Sequence, residues 1–313
     1  MCGDQNNNNN LVLDVDSIAS DADSSYGDEV STFSESLASS VYNFVEEYGR
    51  VYHSFRDFAG NCLPSDERET DRLDIHHALM LALLDGKLHW APIGKNPQRV
   101  LDIGTGTGLW AIDFADLYPS AEVIGNDITP IQPSNVPPNL KFVIDDIEDE
   151  WGKPGTPVES TKPGGWVEFQ EWDPRIYSTD GSLTENHSLY QFCKMAVDRR
   201  SEAGYPASPG PDVEQWMKDA GFINIHVHKL PIPLGPWAKD KKYKRIGVWN
   251  YAQAEAGLEG IAIGCLIKSP SKQKAWTMEE VNVLLAKTRE DMKNRRLHGQ
   301  YDFYVVYGQR PDP

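Results

Sequence analysis

Three glycines and a row of carboxylates carry the chemistry that can be read from this sequence. The stretch VLDIGTGTGLWAIDF places Gly104, Gly106 and Gly108, with Thr105 between the first two, after a short apolar run and before an amphipathic one. Glycines at a strand-to-helix turn let backbone amides approach a ligand and let the helix close on the strand. The spacing is G-x-G-x-G. A nicotinamide-dinucleotide fingerprint would need glycine at 109, where Leu109 stands. Asp102 lies inside the strand that precedes the loop, Asp127 ends the next strand, and Asp145 and Asp146 end a third. In a parallel sheet such ends line one crevice. A dinucleotide would bring a pyrophosphate that this row repels. S-adenosylmethionine brings a sulfonium, an ammonium and no phosphate, so the row suits it. Asp127 is placed to accept both ribose hydroxyls and Asp146 to accept from the adenine amino group, with Ile128 and Ile147 against the ring faces. One acid alone reads as a helix cap; three at consecutive strand ends around a glycine loop read as a cofactor site.

Other reactive residue types are less organised. His76 and His77 lie on a helix about 100° apart, so they cannot easily share a metal, and half-buried helix histidines are the default. His226 and His228 alternate on a strand and face one side, with no third ligand near in sequence, so no metal site is expected. KDKKYKR, 239–245, is a basic run that reads as a solvated helix start. Glu171, near the end of a strand, and Tyr52 are the polar groups expected to face a substrate, with His53 and Arg56 weaker choices. Trp172 and Trp237 read as packing residues. No serine–histidine–acid or cysteine–histidine set is legible, so the catalytic residues are unassigned. A sulfonium is already an activated methyl donor, and its transfer needs alignment and a dry site more than a nucleophile.

The elements that must position these groups alternate in type. RVLDIG, AEVIGNDI and LKFVIDDI read as strands and GLWAIDFADLYP as a helix stopped by Pro119. GGWVEFQEWD, FINIHVHKLPI and YDFYVVYGQRP read as further strands, GPDVEQWMKDAG as a helix, and 238–260 and 277–296 as helices inserted before the last strand. Strands alternating with helices imply an α/β fold with a mostly parallel sheet and helices on both faces. Upstream, SVYNFVEEYGRVYHSF over 40–60 has helical apolar spacing, and DERETDRLDIHHALMLALLDG opens with acids and stops at Gly86, as a helix should. The expected division is a tail over 1–38 and a domain over 39–313. Within that domain come N-terminal helices (39–97), a cofactor-binding half (98–151), a short bridge (152–162) and a C-terminal half (163–313) with a helical lid over 238–296.

Composition narrows the class. The chain has 313 residues and a net charge of −17, and its first 49 residues hold ten acids and no Lys or Arg. Direct nucleic-acid binding needs clustered cations and is not expected. Residues 1–38 are rich in Asn, Asp and Ser and cannot repay the entropy of ordering. Four scattered cysteines imply a reducing compartment. MCGDQNNNNN has neither part of a signal peptide, and no apolar run is long enough to span a bilayer. A cytoplasmic or nuclear protein is expected.

The segment RVLDIGTGTGLWAIDFADLYPSAEVIGNDITPIQPSNVPPNLKFVIDDIEDEW resembles the fungal LaeA-like class I S-adenosylmethionine-dependent methyltransferases. The likeness extends to YHSFRDFAGNCLPSDERETDRLDIHHALMLALLDGKLHWAPIG, KPGGWVEFQEWD and YVVYGQRP, in the same order, over about residues 40–313. It implies a Rossmann-like methyltransferase fold, with Asp102, Gly104, Gly106 and Gly108 in the methionine-binding loop, Asp127 on the ribose and Asp146 at the adenine. It implies a role in secondary metabolism, as tailoring enzyme or as regulator with protein partners, with a small molecule or protein as methyl acceptor. One departure stands out. The family places a helix, a fourth strand and another helix between the third strand and the KPGGW stretch, which needs roughly 25 residues or more. Here 147–161 supply fifteen. Either the strand starting at Trp166 slides in beside the first, or a segment of the working protein is missing. A non-catalytic protein acting through partners is the alternative reading.

Overall fold

A computed structural model describes residues 44–53, 63–146, 160–268 and 273–312. The expected tail over 1–38 lies outside them. The helix expected over 40–60 is instead a hairpin where it is described, with β1 (Phe44–Glu47) antiparallel to β2 (Arg50–His53). Its two-residue turn decides the matter: Tyr48 and Gly49 both have positive φ, 55° and 71°. That is the backbone tight hairpins demand and a helix forbids. Arg50 anchors the hairpin through a two-pronged pair with Asp66 at 2.6 and 2.7 Å. Asp66 in turn caps α1 (Glu67–Leu83) by accepting the Glu69 N–H.

The first half is a parallel sheet of β3 (Arg99–Ile103), β4 (Glu122–Asp127) and β5 (Leu140–Ile144), with β4 in the middle. α2 (Leu109–Leu117) follows β3 and packs Ala111, Phe114 and Ala115 onto Val123 and Leu140. The second half is an antiparallel sheet in which β8 (Gln300–Gln309) lies between β6 (Trp166–Tyr177) and β7 (Ile223–Pro233). α1 packs Leu79, Met80, Leu83 and Leu84 on one face of it, against Phe303 and Val305. α3 (Ser188–Glu202), which the sequence reading did not anticipate, and α4 (Val213–Asp219) follow β6. The segment between β7 and β8 is helical, as its pattern implies: α5 (Lys241–Ala262), its π-helical extension Ile263–Lys268, and α6 (Met278–Lys293). They share a core with α3 built on Phe192, Leu258, Leu266 and Leu285.

Among the described residues the two sheets do not join: β3 pairs only with β4, and β6 only with β8. The expectation that β6 might slide in beside β3 is therefore not met, and among those residues each strand keeps one edge without a partner. A parallel strand inside an α/β sheet is normally covered on both faces, yet Ile103 is 57% exposed and the first seven residues of β6 are all half-buried. One added parallel strand between β3 and β6 would make a single seven-stranded sheet in which only β8 runs antiparallel. What couples the halves instead is the loop after α1. Glu168 of β6 accepts the backbone N–H groups of Trp90 and Ala91, at 2.8 and 2.6 Å. Gln170 of β6 and Trp110 of α2 both donate to the Leu88 carbonyl at 2.9 Å.

Candidate functional site

The glycine loop sits at the C-terminal end of β3. Gly104, Gly106 and Gly108 all have positive φ, 73°, 58° and 84°, a region that L side chains enter only with strain. Gly108 is also sterically required, since a Cβ there would lie 2.3 Å from the Phe142 ring. The same ring rests against Gly125 of β4, where a Cβ would come within 2.6 Å. Two glycines thus let α2 and β5 close over one phenylalanine. The loop is braced from below, with Gly104 and Thr105 donating to the Asn126 carbonyl at 2.9 and 3.0 Å. Gln132, in the proline-rich crossover after β4, donates to the Gly106 carbonyl at 2.7 Å. No sequence signal marked that brace.

Asp127 organises the mouth. Its Oδ2 accepts the Gly106 N–H at 2.8 Å and its Oδ1 the Thr129 N–H at 2.9 Å. Each oxygen keeps a lone pair for a further donor. Asp102 accepts the Thr105 hydroxyl at 2.6 Å. Burial pushes its carboxyl up to about 6, the Thr105 bond opposes this, the nearby Asp127 charge adds to it, and His77 relieves it. Burial also raises Asp127, against the backbone N–H groups that hold its charge. Among the described residues neither carboxylate has an Arg or Lys partner. Two desolvated carboxylates without a cation form a site that gains from a bound positive charge.

Other expected residues fall in different places. Asp146 is buried, its N–H donating to Asp145 Oδ1 at 2.9 Å, and the Asp145 N–H donates to the Asp127 carbonyl at 3.0 Å. Ile128 is half-buried beside Asp127, while Ile147 and Arg56 lie outside the described residues. Tyr52 is buried, with the Lys268 ammonium 3.8 Å above its ring. His53, next to it, is close enough to Asp127 to stabilise its charge. Glu171 shares a face of β6 with Val167 and Phe169, which pack toward α4, while Glu168, Gln170 and Trp172 face the α1 side. Burial raises the Glu171 carboxyl. Trp172 packs against Phe303 and Tyr301, and the buried Trp237 donates to the Gly299 carbonyl. His226 and His228 do share a face, both stacked on Tyr307 at 5.0 and 5.7 Å. Among the described residues no group of three could hold a metal ion.

No family model matches the chain. It is 33% identical to the methyltransferase pytC of Aspergillus terreus, over 97% of this chain and 97% of that protein. It is 32% identical to the secondary metabolism regulator LAE1 of Cochliobolus heterostrophus, over 86% and 95%. It is 31% identical to the protein-methionine methyltransferase laeA of Emericella nidulans, over 86% and 77%. The match to pytC runs over 327 aligned positions, yet 97% of this chain is only about 304 residues. About 23 positions therefore hold residues in the relative and none here. The same arithmetic leaves about 29 for LAE1 and about 27 for laeA. Solved structures overlay loosely. Phosphoethanolamine N-methyltransferase 2 of Haemonchus contortus reaches a TM-score of 0.38 at 16% identity, over 82% of this chain and 58% of that one, too slight a likeness to argue from.

Proposed function

The chain belongs to the fungal LaeA-like methyltransferases, and from that premise we propose that it transfers a methyl group from S-adenosylmethionine to an acceptor in fungal secondary metabolism. The observation that carries this reading is the glycine loop pinned to Asp127 near a second desolvated carboxylate, Asp102, neither of them paired with an Arg or Lys among the described residues. Asp127 would take the ribose hydroxyls on its free lone pairs, the loop amides and Asp102 the methionine end, and Asp146 with Ile128 and Ile147 the adenine. When bound, the cofactor supplies an activated methyl on a sulfonium. The chain's part is to hold it, align it and exclude water. Among the described residues no helix is long and apolar enough to cross a membrane, and we place the protein in the cytoplasm or nucleus. The acceptor is a small molecule or a protein.

A second reading has its own observation. Among the described residues no strand pairs with the facing edges of β3 and β6, which favours a protein that keeps the fold and acts through partners. Isothermal calorimetry separates the two. Binding of S-adenosylmethionine and S-adenosylhomocysteine, with none of NAD, is expected of the enzyme. A folded sample that binds neither sulfur ligand refutes the enzyme reading.

A further inference from the structure

α1 straddles the two halves of the molecule, and its adjacent histidines address one half each. Leu73 rests 3.6 Å from where a Gly106 Cβ would be, which seats the helix on the glycine loop. One turn on, His77 Nε2 meets Asp113 of α2 at 2.8 Å and lies close enough to Asp102 to affect its charge. His76 turns the other way. Its ring lies 5.8 Å from that of Trp172 on β6, and its Nδ1 lies 3.3 Å from Gln253 Oε1 on the lid helix α5. It thus ties α1 to β6 and to the helix α5, one residue along from the histidine that addresses the carboxylate crevice.

Its tautomer follows from a chain of obligatory partners. The Pro233 carbonyl can only accept, so the amide nitrogen of buried Asn250 points at it, at 2.8 Å. Asn250 Oδ1 is then left to accept from Gln253 Nε2, at 2.9 Å. Gln253 Oε1 must therefore face His76. Arg72, which can only donate, reaches the same oxygen at 3.2 Å and requires the same orientation. An oxygen that only accepts obliges His76 Nδ1 to carry a hydrogen. The groups facing the ring are Arg72 and His77 on its own helix, Gln253 from α5 and Trp172 from β6. Burial and the Arg72 charge hold the ring neutral, down to about 4. The remaining nitrogen, Nε2, keeps its lone pair, and among the described residues no hydrogen bond uses it.

We propose that His76 Nε2 receives the proton of the methyl acceptor, so that the acceptor is a hydroxyl or an N–H group and not a thioether. Gln253 and Asn250 are the positioning residues that keep Nε2 bare. This rests on the methyltransferase reading above. In the step, the acceptor oxygen or nitrogen forms a bond to the methyl carbon as the carbon–sulfur bond breaks, and the electron pair stays on sulfur. The acceptor's proton passes to Nε2, and the imidazolium later returns it to water. A thioether acceptor has no proton to lose and would leave His76 idle.

The test has an arm that needs no turnover. In 15N-histidine NMR of the full chain, His76 is expected as the Nδ1–H tautomer, still neutral at pH 5.5. An Nε2–H tautomer, or titration near 6.5, overturns the proposal. The second arm uses His76→Asn, whose amide nitrogen can replace Nδ1 toward Gln253 but leaves no base. With a simple phenol, an aromatic amine and a thioether as probes, wild type should act on one of the first two. The variant should lose about 10²–10⁴ in kcat, with KM and S-adenosylhomocysteine affinity within about threefold. Gln253→Leu should lose kcat less steeply and mix the tautomers. Unchanged kcat in His76→Asn, turnover confined to the thioether, or cofactor binding without turnover on any probe each counts against His76. Absence of cofactor binding counts against the methyltransferase reading instead, and the NMR result still decides the relay.

Discussion

The raised carboxyl of Asp102 makes cofactor binding pH-dependent in a way that can be worked out. With a free-state value of about 6, the group is half protonated at pH 6 and about one-tenth protonated at pH 7. A sulfonium and an ammonium placed beside it favour the charged form and draw it back toward the ordinary carboxylate range. Binding should then release about 0.5 proton at pH 6 and about 0.1 at pH 7. Affinity should fall about twofold from pH 8 to pH 6 and about tenfold from pH 8 to pH 5. Calorimetry at pH 6 in two buffers of different ionisation enthalpy reads the proton directly, because the apparent heat shifts by the buffer enthalpy times the protons released. Asp102→Asn keeps the shape and cannot ionise, so its binding, though weaker, should show none of this linkage. Equal proton release in wild type and variant, or affinity flat from pH 5 to 8, would refute the assignment of Asp102 to the cationic end of the ligand.

Stability should respond to the same group with the opposite sense from function. A carboxylate whose folded value is raised contributes stability below about 3.8 that is lost as pH rises through about 6. Asp102→Asn should therefore be more stable than wild type at pH 7, by up to about 3 kcal/mol, in urea unfolding. His76 runs the other way: its folded value is depressed to about 4, so its contribution is present above about 6.5 and lost as pH falls. With Asp102 replaced, the acid loss due to His76 should stand out between pH 6.5 and 4. Gly108→Ala combines a left-handed φ with overlap on Phe142 and should cost about 2–5 kcal/mol. Gly104→Ala, with open space around its Cβ, should cost only about 1–2, and similar thermal shifts for the two would refute the packing argument. Glu168→Ala removes the acceptor shared by the Trp90 and Ala91 amides and should cost about 2–4 kcal/mol, with Glu168→Gln well below that in chemical denaturation.

What could be read without coordinates was what short-range physics dictates. The glycine spacing announced a strand–loop–helix because few other structures need three permissive residues there. The alternation in FINIHVHKLPI did the same for β7. The hairpin at 44–53 was misread because aromatic residues three and four apart fit a helix stripe as well as a pleated pair; only the paired positive φ of Tyr48 and Gly49 separates them. α3 was missed although Leu189, Phe192 and Cys193 mark a buried stripe, since a polar loop precedes it and no capping residue stands at His187. The His76 relay could not be read at all. It joins residues 177 apart, and a glutamine in mid-helix carries no mark of what it will face.

The missing strand can be reasoned about from three directions. Counting crossovers asks for roughly 25 residues or more where the chain has fifteen between Ile147 and Thr161. The alignments leave about 23 to 29 positions in relatives without a counterpart here. Among the described residues β3 and β6, the two strands such a unit would separate, each keep an edge without a partner. A count of that size could be scattered over many loops, but among the described residues every other strand in the order has its neighbour, so the deficit fits the connection between Ile144 and Trp166. Transplanting the corresponding segment of pytC between Asp146 and Ser160 is therefore expected to cover both edges. It should slow amide exchange in β3 and β6 and tighten S-adenosylhomocysteine binding. If exchange in those two strands is already as slow as in β4 and β8 before the transplant, their edges are not open and the inference fails.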